Sequence, residues 1–196
     1  MMTTKLTMFT PEIEISNCAK ICYATTAEKD ITTQLVHSNS HLAALRFAYA
    51  TVYIEGISVA CQNQIVRSKH LDFMVQSKRY VNPDKGEFEF IMPENLEGEY
   101  PDVMQDHFDR TLALYNQLVA NGVKKEDARA VLPANTSTKM YITGNLQAWH
   151  SFFTLRLTNH AQLEVRAVAN SIYDLLAEVF PQVFTTEMKL TLQKGH

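Results

Sequence analysis

Apolar residues recur at helical intervals along two long stretches in the second half of the chain, and they restrict the fold class. The first stretch, 100–122, reads YPDVMQDHFDRTLALYNQLVANG and ends in Asn-Gly, a pair typical of helix ends. The second, 160–180, reads HAQLEVRAVANSIYDLLAEVF, and Asn159 and Gln162 stand at capping-box spacing at its start. Two helices of this length predict a mostly helical protein.

Shorter segments predict further helices and a few strands. β-Branched and aromatic residues alternate in ATVYIEGI, and we expect Gly56 to close that strand, Pro11 to open a helix and Ser40 to cap another. The other strand-like segments are KLTMF at 5–9, FEFIM at 88–92 and TSTKMYITG at 136–144. The other helical segments lie at 11–23, 27–37, 41–48, 58–69, 124–133 and 145–157. With no repeat or boundary in the sequence, we predict one α+β domain over residues 1–196.

Composition excludes several classes of protein. A formal charge of -3 and a pI near 6.2 argue against general nucleic-acid binding, because a phosphate backbone requires a broad basic face. No run approaches the ~20 apolar residues of a membrane span, and the first residues lack the apolar region of a secretion signal. We therefore predict a cytoplasmic protein, or one of the host cytoplasm if a virus encodes it. Cys18, Cys22 and Cys61 are odd in number, and we expect buried, reduced thiols.

Metal and nucleophile motifs are not apparent. His37 and His41 are four residues apart, and so are His160 and Glu164, but neither pair has a third ligand at a characteristic spacing. The sequence contains no GxSxG and no Gly-rich phosphate loop. No metal site is predicted.

Three separated segments combine arginine with polar side chains near turns or helix ends. They are Gln64–Tyr80, Ala128–Pro133 and Asn145–Gln162. A guanidinium group presents paired donors that match phosphate oxygens. This pattern indicates a small anionic ligand.

These segments carry short motifs in a fixed order. The motifs are Thr10-Pro11, Cys22-Tyr23, EGIS at 55–58 before Gln64 and Arg67, RAVLP at 129–133, an Asn-led helix from Asn145, Leu155-Arg156, and HAQLE at 160–164. In this order and spacing the chain resembles the flavin-dependent thymidylate synthases, the ThyX family, along nearly its whole length. The resemblance implies the ThyX-like α+β fold with a small antiparallel sheet, in a homotetramer whose active sites form between subunits.

The family's signature motif is altered in this chain. Its first Arg is Arg67, and its last Ser and Arg are Ser77 and Arg79. Within the motif, Ser68 replaces the His, Lys69 the second Arg, Asp72 the first Ser and Met74 the Asn. Val75 replaces a Glu that is frequent in the family, and Arg46-Phe47 replaces an upstream Glu-His pair. Most of these departures fall where the family holds flavin and folate, whereas the nucleotide-side positions are mostly kept.

The resemblance implies reductive methylation of dUMP to dTMP. Methylenetetrahydrofolate would give the carbon and NADPH would reduce FAD, with no protein nucleophile. The residues expected at dUMP are Gln64, Arg67, Ser77, Lys78, Arg79, Arg129 and Arg156. Those expected at FAD are Arg67, Ser68, Lys69, Asn145, Gln147, Ser151 and His160.

Some of these residues have particular roles or alternatives. By resemblance Arg156 is the catalytic residue at the N3–O2 edge of the base, and Arg129 reaches in from a neighbouring subunit. Arg156 could instead satisfy the last carbonyls of its own helix. Lys78 could be a solvated surface side chain, and His160 is expected at a helix N-terminus.

Two alternatives to the thymidylate synthase activity remain open from the sequence. One is a related enzyme that hydroxymethylates the pyrimidine or acts on another pyrimidine nucleotide. The other is a non-catalytic paralogue that binds a nucleotide and acts on a partner. The positions expected at the flavin are altered, whereas those expected at the nucleotide are mostly kept. This pattern is compatible with both alternatives.

Overall fold

A computed structural model describes residues 2–22, 24, 28–38, 41–80 and 89–195. Its sheet has four antiparallel strands in the order β1-β2-β4-β3. The strands are β1 (Thr3–Phe9), β2 (Tyr49–Ser58), β3 (Asp72–Val75) and β4 (Ser137–Asn145). The predicted α+β class with a small antiparallel sheet is confirmed.

Helices make up most of the remaining described structure. The α-helices are α1 (Ile13–Cys22), α2 (Val59–Ile65), α3 (Glu94–Glu97), α4 (Pro101–Ala120), α5 (Lys125–Ala128), α6 (Leu146–Arg156), α7 (Leu163–Val179) and α8 (Thr186–Lys194). A π-helical turn covers Gln34–Ser38, and 3-10 helices cover Leu42–Phe47 and Arg129–Val131. None of the described helices combines the length and apolar character that crossing a bilayer requires.

The core lies between one face of the sheet and helices α6 and α7. Trp149 is fully buried in α6, and its indole Nε1 donates to the Ala50 carbonyl oxygen of β2 at 3.1 Å. The ring of Phe153 packs edge-on against Tyr173 of α7 and against Phe184, with centroids 4.9 and 5.4 Å apart. Removing such a buried ring costs about 3–5 kcal/mol. The core therefore fixes α6, which carries several candidate site residues, against the sheet.

Strand β2 extends past Gly56, so the expectation that this glycine closes the strand is wrong. Ala50, Val52 and Ile54 are buried on the helix side, as period-2 alternation requires. The register with β4 then shifts between Glu55 and Ile57. Gly56 is the extra residue, with φ of 72°, a conformation that glycine adopts without steric cost.

The start of α7 also differs from the expectation. The helix begins at Leu163, and its N-cap position is Gln162, whose side chain makes no capping hydrogen bond. Asn159 lies in the preceding turn, which the Ala161 N–H closes by donating to the Thr158 carbonyl oxygen at 3.0 Å. The Asn159 capping box is therefore wrong, because those residues form the turn that follows α6.

Several shorter helices and strands differ from the expectation. The segment 41–48 is a 3-10 helix rather than an α-helix, the helix expected over 58–69 ends at Ile65, and α8 was not foreseen. Of FEFIM, the described part makes one isolated bridge, Phe90 to Thr136. Ser40 and residues 23, 27 and 88 lie outside the described residues.

The cysteines are not all buried as expected. Cys61 is buried, Cys18 is half-buried and Cys22 is exposed, and all three are free thiols. Cys18 and Cys22 share one face of α1, but that face borders an apolar cleft of ≈ 730 Å³ open to solvent.

Candidate functional site

The N-terminus of α2 is held by a carboxylate from α7. Ser58 is the N-cap, and its Oγ accepts from the Cys61 N–H at 2.9 Å. The two carboxylate oxygens of Glu164 accept from the Ser58 N–H and from its Oγ–H at 2.7 and 2.6 Å. Hydrogen bonds to a charged acceptor are roughly twice as strong as neutral ones. Two such bonds fix the start of α2 against α7.

The other end of α2 is tied to the α6–α7 connection. Arg156, in the last turn of α6, donates from Nη2 to the Gln64 carbonyl oxygen at 2.6 Å. The Gln64 side chain donates to Gln162 Oε1. Arg156 thus satisfies a carbonyl of α2, not of its own helix as the alternative interpretation proposed. Its Nε is buried and has no partner among the described residues, so the guanidinium keeps donor capacity.

Cys61, within α2, is a buried thiol whose surroundings disfavour its nucleophilic form. Burial raises the pKa of Cys61 well above its usual range, the negative charge of Glu164 raises it further, and Arg156 opposes the shift. A thiolate is the nucleophilic form of cysteine, and this environment disfavours it. The absence of a nucleophile motif in the sequence agrees with this geometry.

A second cluster forms where the loop after α2 crosses the junction of β4 and α6. Gly144 is buried there, and a Cβ on it would overlap Leu71 Cδ2 and stand 3.3 Å from the His70 carbonyl oxygen. His70 itself adopts φ of 66° to turn the chain. The loop that carries Ser68 and Lys69 therefore lies directly against the start of α6, 75 residues further along the chain.

Several residues expected at FAD lie on the two sides of this junction. Ser68 is buried, and its hydroxyl has no partner within the described structure. Asn145 caps α6, with Oδ1 accepting from the Ala148 N–H at 2.9 Å. Gln147 Oε1 accepts from Arg46 Nε, and Ser151 Oγ–H donates to the Gln147 carbonyl oxygen at 3.0 Å. Both amides keep their N–H₂ groups as donors.

His160 and Lys69 are less closely tied to this cluster. His160 is exposed and lies in the turn between α6 and α7, so its expected place at a helix N-terminus is wrong. Lys69 is exposed beside the buried Ser68. Neither side chain makes a hydrogen bond or ion pair within the described part of the chain.

A third cluster joins two of the candidate phosphate ligands. Arg79 donates two hydrogen bonds to Glu126 Oε2, from Nε at 3.1 Å and from Nη2 at 2.6 Å. Arg129 donates from Nε to the Glu126 backbone carbonyl oxygen at 3.1 Å. Ser77 Oγ accepts from the Arg79 N–H at 3.3 Å. Arg79 and Arg129 thus both contact Glu126 within one chain, and the expected role of Arg129 at a neighbouring subunit's site stays a prediction.

Two further cations expected at dUMP differ from each other. Lys78 is half-buried, and its ammonium donates to the Ser137 carbonyl oxygen and to Gln76 Oε1, so it is not a solvated surface side chain. Arg67 is exposed and has no hydrogen-bond or ion-pair partner among the described residues. Arg67 therefore remains available to an anion, whereas Lys78 already has a structural role.

A cleft of ≈ 580 Å³, lined by both polar and apolar residues, borders the α2 cluster. Ser58, Asn135, Gln162, Glu164 and Arg166 are among the residues that line it. Within the described residues, no group of three His, Cys, Asp or Glu side chains is arranged to hold a metal ion.

Sequence reasoning missed several residues that organise these clusters. Ser58 and Glu164 belong to the EGIS and HAQLE motifs, so the motifs themselves were a signal. Gly144 and Glu126 had no such signal, because their importance depends on contacts between distant segments.

The fold and these clusters describe an α+β protein that presents arginine side chains at loops and helix ends, an arrangement suited to a small anionic ligand. Comparison with known proteins identifies the family. The model of the family described as thymidylate synthase complementing protein matches residues 5–182. The chain belongs to that family, which confirms the resemblance found in the sequence.

Curated relatives carry a consistent name. The flavin-dependent thymidylate synthase of Corynebacterium efficiens is 33% identical over 173 residues, which cover 79% of this chain and 68% of the relative. Those of Mycobacterium tuberculosis strain H37Rv and Mycobacterium avium are 31% identical over 172 residues, with the same coverage. The family is thus one of enzymes, and its relatives' names specify flavin and thymidylate.

Proposed function

We propose that this protein is a flavin-dependent thymidylate synthase, which methylates dUMP at C5 to give dTMP. The observation that carries the proposal is the junction at Gly144. Its close approach joins His70 and Leu71, which follow Ser68 and Lys69 of the altered signature, to Gly144, which precedes Asn145 at the start of α6. Two segments that are distant in sequence, and that are both expected at the flavin, thus meet there. The names of the curated relatives support the same reaction.

The residues at this junction fit FAD by their donor chemistry. The Ser68 hydroxyl is buried and has no partner among the described residues, and an unsatisfied buried hydroxyl costs about 1–3 kcal/mol unless a ligand or water meets it. Asn145 and Gln147 retain their amide donors, and Lys69 is an exposed cation. Together with Arg67, Ser151 and His160, these residues would hold the cofactor. FAD, when bound, would supply the redox chemistry of the reaction.

Lys69 has a predictable effect on cofactor affinity. A lysine presents a point charge where the family has the planar fork of an arginine. Losing one charge-assisted hydrogen bond costs about 1.5–3 kcal/mol. We therefore propose that FAD binds, but more weakly than to an unaltered signature.

The nucleotide would be held by the cations and amides of the other two clusters. Arg67, Ser77, Arg79 and Arg129 would meet its phosphate and sugar, with Gln64 from α2 beside them. Lys78 would support this region through its bond to β4.

Arg156 would read the base. Its guanidinium, half-buried and held by the Gln64 carbonyl oxygen, would face the N3–O2 edge of uracil and stabilise the anion left when the N3 proton departs. Each unit by which it lowers the pKa of that proton corresponds to about 1.4 kcal/mol. The base then becomes electron-rich at C5 without a covalent bond to the protein, which agrees with the disfavoured thiolate of Cys61.

The remaining parts of the proposal follow the family resemblance. NADPH and methylenetetrahydrofolate would be co-substrates, the assembly would be a homotetramer with shared active sites, and the location would be cytoplasmic. The altered signature residues Asp72 and Met74 are exposed on β3. Their change favours hydroxymethylation or a different pyrimidine nucleotide as the second candidate.

The decisive experiment combines flavin binding with base selection. The purified protein should show flavin absorbance or bind added FAD at tens of micromolar, and it should bind dUMP more tightly than dCMP. Arg156→Ala should abolish that preference. Arg166→Ala is a matched control, because Arg166 also donates to a backbone carbonyl oxygen in this region, that of Asn159 at 3.2 Å. Failure to bind FAD would contradict the synthase, and equal binding of dUMP and dCMP would contradict the substrate assignment.

A further inference from the structure

The only ion pair of Arg79 within the described structure is with Glu126, an acidic residue of α5. Both guanidinium nitrogens that bind Glu126 would be the donors for a nucleotide phosphate, if Arg79 has the role proposed above. The carboxylate therefore stands where an anionic ligand would act. Arg129 is bound to the backbone of the same residue, so its position does not depend on that carboxylate.

We propose that Glu126 is an internal competitor at the anion site: its carboxylate pairs with Arg79 until a dianionic phosphate displaces it. This inference rests on the proposed nucleotide role of Arg79. A carboxylate carries one negative charge, whereas a phosphate monoester carries nearly two at pH 7 and offers three acceptor oxygens. A monoanion gains little by displacing Glu126, but a phosphate monoester gains both charge and acceptors. Glu126 thereby lowers the affinity of every ligand that needs Arg79, and a phosphate monoester is better able to overcome this competition than a simple carboxylate.

Because the ion pair between Arg79 and Glu126 is exposed to solvent, a phosphate can replace Glu126 at a small cost in free energy. The side chains of Arg79 and Glu126 are 51% and 38% exposed. Ion pairs this exposed to water contribute little, so a ligand can replace one without a large penalty. The same exposure means that the competing effect of Glu126 is a modest factor in affinity and depends on ionic strength.

Glu126→Gln tests the inference because it removes the charge and keeps the shape. We expect the variant to bind dUMP about 2- to 5-fold more tightly than the wild type at low salt, from the range of exposed ion pairs. The gain should shrink as salt is added. Binding of deoxyuridine, which has no phosphate, should not change.

Asp127→Asn is the matched control. It removes the same charge from the neighbouring position of α5, and Asp127 makes no contact with Arg79 among the described residues. Titration calorimetry of the wild type and the two variants with dUMP, deoxyuridine and inorganic phosphate distinguishes loss of the partner of Arg79 from a general loss of negative charge. A gain in both variants would reflect general charge and would overturn the inference.

The remaining outcomes distinguish the inference from the proposed function. If the wild type binds dUMP and Glu126→Gln binds it no more tightly, the inference is wrong, and the proposed function is unaffected. If the wild type fails to bind dUMP but Glu126→Gln binds inorganic phosphate more tightly than Asp127→Asn, the anion site stands and the nucleotide assignment falls. If no protein binds either ligand, both are overturned. Circular dichroism of each variant verifies that it is folded.

Discussion

Gly144→Ala should loosen the junction that supports the proposed flavin site. The new Cβ would overlap Leu71 Cδ2 and stand 3.3 Å from the backbone carbonyl oxygen of His70, which is closer than nearly all such contacts in proteins. Leu71 is only 6% exposed, so its side chain must repack within the protein to make room. This repacking, or a shift of the loop with Ser68 and Lys69 away from α6, would loosen the junction.

The magnitude follows from two opposing effects. Inserting a methyl group into a well-packed core costs about 1–3 kcal/mol. Replacing glycine by alanine at a compatible backbone conformation stabilises a protein by about 0.4–1 kcal/mol, because the unfolded chain loses freedom. The net expectation is a loss of about 1–2 kcal/mol in the free energy of unfolding, together with weaker FAD binding.

Urea unfolding followed by circular dichroism, and titration with FAD, measure the two consequences. Gly98→Ala is the control, because a Cβ there meets nothing within 4 Å and Gly98 already has φ of -82°. It should leave stability unchanged or raise it slightly. Leu71→Val removes the overlapping methyl group, so adding it to Gly144→Ala should cost less than adding it to the wild type. A Gly144→Ala variant as stable as the wild type, with unchanged FAD affinity, would refute the close approach.

Three further predictions concern other parts of the molecule. Burial, and then the nearby His37, lower the pKa of His150, so the folded state resists protonation and stability should fall as the pH drops below about 6.5. His150→Gln should flatten that fall in urea titrations from pH 8 to 5, and an unchanged slope would contradict it. Glu164→Ala should lose about 1–3 kcal/mol of stability and weaken dUMP binding. Glu164→Gln, whose amide oxygen can accept from the Ser58 N–H while its N–H₂ donates to Ser58 Oγ, should retain more of each. Iodoacetamide should label the exposed Cys22 long before the buried Cys61, as peptide mass spectrometry can follow, and early labelling of Cys61 would show that α2 opens.

Local patterns were sufficient to predict the long elements of the fold. The helix at Pro101–Ala120 and the strand at Ser137–Asn145 lie where periodicity indicated, because one face of each is buried and the sequence must alternate accordingly. The start of α7 was misplaced because Asn159 has the right spacing for a cap, whereas the chain needs three residues there to turn after α6. Spacing alone does not distinguish a capping residue from a turn residue.

The candidate site was predictable only as separate segments. Motif order indicated Arg79, Arg129 and Arg156, but not that Glu126 lies between the first two or that the third binds a carbonyl of α2. Those contacts join residues about 50 and 92 positions apart, and they depend on tertiary packing. Lys78 was ambiguous for the same reason, since its acceptor on Ser137 belongs to another strand.

The extra residue at Gly56 determines which face of the sheet each following residue of β2 occupies. Glu55 pairs with Lys139 of β4, Gly56 is unpaired, and Ile57 pairs with Thr138, the next residue of β4. Ile57 therefore lies on the buried side of the sheet. If residue 56 instead took a place in the ladder, it would pair with Thr138, and Ile57 and Ser58 would exchange faces. Ser58 would then point away from Glu164, and α2 would begin on the wrong side of the sheet. Because a non-glycine residue disfavours the positive φ that keeps residue 56 out of the ladder, this position should tolerate substitution poorly, although it lies in a strand rather than in the site itself.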